Sequence, residues 1–129
     1  MPRKTFTAGE VLAASDVNEY LSNEISLTSS TATTLTVATA DRYKTLVMSG
    51  TANSTVTFGT GTAFEAGERI DILQDGAGTV TITRDGTAVS LAGRGTAGTA
   101  YTIGQQYDAV SVVCVGTNSY RIIGNAEAV

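Results

Sequence analysis

The chain has 129 residues, 42% of them hydrophobic, with 8 basic and 12 acidic side chains for a formal net charge of −4, and no histidine or tryptophan. That length suits one domain and is short for two of ordinary size. The acidic balance and the scattered Lys and Arg exclude a general affinity for nucleic acid or for an anionic membrane surface, and the missing histidine removes the commonest general base, metal ligand and nucleophile partner.

Residues 1–8 read as an extended arm in which Phe6 is the only large apolar side chain. Thr7 and Glu10 have capping-box spacing, weakened by Gly9 between them. The better helix start is Ser15 as N-cap, with Asp16 at the positive end, giving a short helix over 16–23 whose Val17, Tyr20 and Leu21 form one apolar stripe. A helix of that length is too short to stand alone in water and must dock on something. Arg3 and Lys4 have no apolar run behind them, so no signal peptide is expected, and no stretch approaches the roughly 20 apolar residues of a membrane span. The Thr- and Ser-rich run 26–34 reads as a linker or first edge strand, which divides the chain into an N-terminal segment, 1–28, and a β domain, 29–129.

From Leu35 onward the period is two, with β-branched Thr favouring strands. Leu35 and Val37, Thr45 to Met48, Val56 and Phe58, Arg69 to Gln74 and Thr79 to Thr83 are strand candidates. Turn formers separate them. Asp75-Gly76-Ala77-Gly78 reads as a four-residue hairpin loop, and Arg84-Asp85-Gly86 echoes it without establishing a repeat. The best hairpin is 108–123, where Val110, Val112 and Cys114 share one face and Gly116-Thr117-Asn118 supplies the turn. This spacing predicts an all-β fold, a compact antiparallel β-sandwich or barrel preceded by an N-terminal arm and one short helix. With only 3 Phe and 5 Tyr to fill a core, burial against other subunits is a natural supplement.

The residues that could carry chemistry read more simply as structure, so no enzyme, cofactor or metal site is expected. Glu65 with Glu68 and Asp71 with Asp75 are the only close carboxylate pairs, and they read as solvated faces and turns. Gly93-Arg94-Gly95-Thr96-Ala97-Gly98 spells a dinucleotide-binding pattern, yet a strand-like run follows where a helix is required, so a tightly turned loop is expected. The Asp-Gly turns have one carboxylate each, too few for calcium. Cys114 reads as a small buried hydrophobe, and Asn53-Ser54-Thr55 as a chance glycan acceptor. Tyr101, Tyr107 and Tyr120 could form a sugar-stacking platform, although core or interface packing suits them better.

The run Lys4-Thr5-Phe6-Thr7-Ala8-Gly9-Glu10-Val11-Leu12-Ala13-Ala14-Ser15-Asp16-Val17-Asn18-Glu19-Tyr20-Leu21 resembles the N-terminal segment of small structural proteins of tailed bacteriophages, especially those of actinobacterial hosts. These are head decoration or head-fibre proteins and minor tail or tail-fibre proteins. The β-rich remainder is similar in style only, and it lacks the collagen-like run and heptad coiled coil of longer fibres. The resemblance implies a non-enzymatic virion protein, made in the host cytoplasm, that attaches by its N-terminal segment and projects an oligomeric β domain, usually a trimer. The expected partners are the major capsid protein or another virion protein, with host surface glycan as a further possibility. Phe6, Val11, Leu12, Val17, Tyr20 and Leu21 would face the particle or the trimer, and Arg3 and Lys4 would pair with an acidic capsid surface. The closing hairpin is apolar on both faces, so Val113 or Val115 is expected at a subunit interface or under a second packed layer.

Overall fold

The alternation of apolar and polar residues closes into two sheets packed face to face. The computed structural model describes residues 5, 7–11, 13–16 and 26–129. The strands are β1 (Leu27–Ser30), β2 (Thr34–Thr36), β3 (Thr45–Met48), β4 (Ser54–Phe58), β5 (Arg69–Gln74), β6 (Val80–Arg84), β7 (Ser90–Gly93), β8 (Thr96–Gly98), β9 (Ala100–Ile103), β10 (Ala109–Gly116), β11 (Ser119–Gly124) and β12 (Ala126–Ala128). A seven-stranded sheet runs β1-β3-β5-β10-β11-β7-β8 and a five-stranded sheet runs β12-β9-β6-β4-β2. The molecule is an all-β sandwich. Inward residues alternate with outward ones, as in β5, where Ile70, Ile72 and Gln74 are buried between less covered neighbours.

Strand direction departs from the expected antiparallel pairing. β1, β3 and β5 are parallel neighbours, as are β2, β4 and β6 and the pair β7 and β11. The β5–β10, β10–β11, β7–β8, β6–β9 and β9–β12 pairs are antiparallel. The reason lies in the connections: each of the first six strands is followed by a strand of the opposite sheet, so β1–β2, β3–β4 and β5–β6 are three stacked coils. Residues 75–78 therefore form an arc between sheets and not the expected hairpin. The Gln74 side chain spans this arc, its Oε1 accepting the Val80 amide at 3.1 Å, and the Asn53 side chain accepts the Thr79 amide at 3.0 Å from the arc beneath.

The stacking leaves no room for side chains where two arcs touch. A Cβ built on Gly76 would lie 2.1 Å from the Gly50 carbonyl oxygen, and one on Gly78 would lie 2.0 Å from that of Ala52. Backbone hydrogen bonds fill the gap, from Gly76 to Met48 at 3.0 Å and from Gly78 to Gly50 at 3.2 Å. On the opposite side, Thr62 ties two returns together by donating to the Val37 carbonyl at 2.7 Å and accepting the Gly59 amide at 3.1 Å.

At the N-terminal end, Thr7 to Glu10 forms a turn in which the Glu10 carboxylate accepts the Thr7 amide at 3.0 Å. Ala14–Asp16 is a single helical turn, so Ser15 sits inside it and not before it as the expected cap. The rest of the expected helix, with Val17, Tyr20 and Leu21, lies outside the described residues. β1 straddles the expected boundary at residue 28, and β1 and β2 are the edge strands at one end of the two sheets.

Gly78→Ala should lower folding stability by about 1–3 kcal/mol or more, because the new methyl group meets backbone that cannot move aside. Gly61, with nothing within 4 Å of an added Cβ, is the control, and Gly61→Ala should leave the urea midpoint nearly unchanged. Equal midpoints for the two variants would remove arc stacking as a constraint.

Candidate functional site

Among the expected site residues, Arg3, Lys4, Phe6, Leu12, Val17, Tyr20 and Leu21 lie outside the described residues. Val11 is described and is 84% exposed. The other two, Val113 and Val115, lie on the outer face of the seven-stranded sheet, carried by β10 in the hairpin with β11.

That hairpin forms as its sequence dictates. Gly116 pairs with Ser119 around Thr117-Asn118, and Asn118 takes a left-handed φ of 51°. A register shift between Cys114 and Gly116 leaves Val115 as the extra residue of a bulge. Val112 and Cys114 face the core and are fully buried, whereas Val115 is 49% exposed and Ile123 60% exposed. No second layer of the described residues covers those two. Val113 is half-buried because it pairs with Arg69 on one side and Arg121 on the other, whose aliphatic stems flank it. In the neighbouring row Asp71 pairs with Ser111 and Ser111 with Ile123; the Ser111 hydroxyl meets the Asp71 carboxylate at 2.5 Å. Val47, Leu73 and Ala109 form a further row across β3, β5 and β10. The face thus mixes polar, charged and apolar side chains, with Val115 and Ile123 left largely uncovered.

Beneath the hairpin lies an aromatic cluster. Phe58 and Tyr120 stand 5.1 Å apart between ring centroids, Phe64 and Tyr120 6.1 Å, and Phe58 and Phe64 6.5 Å. The Cys114 thiol donates to the carbonyls of Phe64 at 3.2 Å and Gly116 at 3.0 Å. Glu68 is buried and pairs with Arg42 at 3.1 Å, and its other carboxylate oxygen accepts the Glu65 amide at 2.7 Å. Its role is therefore to pin the β4–β5 return across to the segment before β3. The Tyr120 hydroxyl is shut off from water and meets no hydrogen-bond partner of full geometry. Burial pushes its pKa above the ordinary value; the nearby Phe64 backbone opposes this, while Cys114 and Glu68 push it up further.

Two of the three candidate tyrosines take the core role that the sequence favours for them. Tyr101 and Tyr120 are fully buried, and only Tyr107, at 72%, is well exposed. The glycine-rich pattern is the two-residue turn of the β7–β8 hairpin: Gly93 pairs with Thr96, and Arg94 and Gly95 have φ of 44° and 79°. Arg94 reaches Glu127 at 3.7 Å and Asn125 at 3.4 Å. Among the described residues no group of three or more His, Cys, Asp or Glu could hold a metal, and no helix is long and apolar enough to cross a membrane.

Neither a family model nor a curated protein matches the chain. One surface escaped the sequence reading: the outer face of the five-stranded sheet, where Thr34-x-Thr36, Thr55-x-Thr57 and Thr81-x-Thr83 are in register. The recurring Thr-x-Thr was its available signal.

Tyr120 generates a pH prediction. A raised folded-state pKa means that the folded chain keeps its phenolic proton while the unfolded chain loses it near pH 10. The stability this proton confers is complete below about pH 10 and is lost as pH rises toward the folded pKa. Denaturation midpoints between pH 8 and 11 should therefore fall more steeply for the native chain than for Tyr120→Phe. Identical slopes would show that the phenol is not linked to folding.

Proposed function

We propose that this is a non-enzymatic structural protein of a tailed-phage virion, a capsid decoration or short head-fibre protein that projects its β domain as a homotrimer. The observation that carries the reading is the pair of exposed apolar side chains on the outer face of the seven-stranded sheet, Val115 and Ile123, in a chain whose N-terminal run resembles a phage attachment segment. Large apolar side chains left exposed on one outer face are what a subunit interface covers. The N-terminal segment supplies the attachment, with Phe6, Val11, Leu12, Val17, Tyr20 and Leu21 as apolar contacts and Arg3 and Lys4 as partners for acidic capsid surface. In the same chain, one carboxylate of each close pair is already engaged, Glu68 by Arg42 and Asp71 by Ser111.

A minor tail or tail-fibre position is the second reading, favoured by the exposed β-sandwich body that follows the attachment segment. Copy number separates the two, because a decoration protein is present hundreds of times per particle and a tail protein only a few. Host-glycan binding has lost its platform through the burial of Tyr101 and Tyr120.

Removing residues 1–24 should leave the far-ultraviolet β signature intact while abolishing sedimentation with particles. Undiminished co-sedimentation would overturn the attachment role. Ile123→Lys places a charge on that outer face, and analytical ultracentrifugation should find its mass shifted from trimer toward monomer with the fold retained. A native chain that stays monomeric at high concentration would dismiss the trimer.

A further inference from the structure

The sequence holds two Asp-Gly pairs, Asp75-Gly76 and Asp85-Gly86, and no Asn-Gly pair. At such a pair an aspartyl side chain can close on its own backbone, because glycine has no Cβ to block approach to its amide nitrogen and turns freely about φ. The fold treats the two pairs in opposite ways.

Asp75-Gly76 is locked into the arc stack. Its two amides both donate to the Met48 carbonyl at 3.0 Å, and the Gln106 side chain donates to the Asp75 carbonyl at 3.0 Å. Gly76 lies so close to the arc beneath that an added Cβ would stand 2.1 Å from the Gly50 carbonyl oxygen. The amide nitrogen and the rotation it would need are thus both taken. Asp85-Gly86 opens the β6–β7 return, 85–89, in which residues 85–88 are all exposed. This return is fastened at its ends, where the Asp85 amide donates to the Phe58 carbonyl at 2.9 Å and the Arg84 guanidinium to the Val89 carbonyl at 2.8 Å. Between those ties the Gly86 amide makes no hydrogen bond to the described residues, its φ is 75°, and nothing lies within 4 Å of an added Cβ. The Asp85 carboxyl has no ion pair or hydrogen bond with the described residues either.

We infer that Asp85 is a site of spontaneous covalent modification, at which the folded chain converts Asp85-Gly86 to an isoaspartyl linkage. The Gly86 nitrogen forms a bond to Asp85 Cγ, and the carboxyl hydroxyl leaves with the amide proton as one water, closing a five-membered imide. Water then adds to either ring carbonyl. Opening at the side-chain carbonyl restores Asp85. Opening at the main-chain carbonyl leaves the chain running through Cγ, with one more methylene in the backbone and the former main-chain carboxyl as the side group. Nothing is oxidised or reduced, and water is the only co-reactant. An exposed return of small residues fastened at its ends accommodates the added methylene, as loop tips accommodate insertions.

The test holds the full native chain at neutral pH for several weeks, folded in buffer and, in parallel, unfolded in guanidinium chloride. Isoaspartate is then located by peptide mass spectrometry with electron-transfer fragmentation. In the folded chain the product at position 85 should exceed that at position 75 several-fold, and in denaturant the difference should disappear. Asp85→Glu, whose longer side chain would have to close a six-membered ring, should lose the product at 85 with its circular dichroism unchanged. A folded chain without isoaspartate at 85 would overturn the inference, as would equal amounts at 75 and 85 in the folded chain. None of these readouts depends on attachment to a particle.

Discussion

Two glycines in the β5–β6 arc decide how the chain packs. With no side chain at Gly76 or Gly78, this arc lies directly against the backbone of residues 49–52. The strands that leave the two arcs, β4 and β6, then fall into hydrogen-bonding distance, and because both leave in the same direction they pair in parallel. The strands that enter, β3 and β5, pair in parallel for the same reason. This local constraint thus sets the direction and register of the second and third coils, and Gly50, whose added Cβ would lie 3.3 Å from the Thr31 carbonyl oxygen, lets the first coil stack against the second. The buried faces follow from it, since register decides which residues of each strand meet across the sandwich.

The later strands close what the coils leave open. β10 and β11 pair with each other, and β10 covers the free edge of β5. β9 covers the edge of β6, and β12 covers β9. Their inward residues complete the core and include its two buried tyrosines, Tyr101 and Tyr120. The long β4–β5 return is held over this cluster by Cys114, which links to Phe64, and by Glu68, which reaches Arg42. A mostly buried ion pair adds little net stability compared with apolar packing, because both ions lose their hydration. Its effect is to fix one position for the return, and removing either partner would leave the other charge uncompensated.

Much of this was legible in the residues themselves. Alternation locates the strands and puts Val110, Val112 and Cys114 on one face, which is the buried one. The β10–β11 turn followed from Gly116-Thr117-Asn118. What could not be read was strand partnership: Asp75-Gly76-Ala77-Gly78 has the composition of a hairpin loop, and whether it folds back within a sheet or crosses to the other depends on the arc beneath it, some 25 residues earlier in the chain. The coils also lack a fixed period, because the β4–β5 return, 59–68, is longer than the β2–β3 return, 37–44, so no repeat is visible. Tyr120 illustrates the limit for the candidate site. A tyrosine suits a wet binding face and a buried edge equally well, and only the positions of Phe58 and Phe64 place it inside. Val115 is a similar case: alternation assigned it to the outer face, but the bulge that isolates it depends on how β11 pairs.

The two outer faces bear on each other. An assembly that covers Val115 and Ile123 uses the seven-stranded sheet, and the five-stranded sheet then turns away from the subunit contact. The threonine rows would stand on the outside of such an assembly, repeated once per subunit and free of competing contacts. If the rows were instead the subunit contact, Val115 and Ile123 would remain in water, which is the less favourable arrangement: hydroxyl groups lose little by staying hydrated, while each large apolar side chain gains about 1.5–3 kcal/mol on full burial. In the proposed assembly, the energetic asymmetry that favours covering Val115 and Ile123 also leaves the threonine face open.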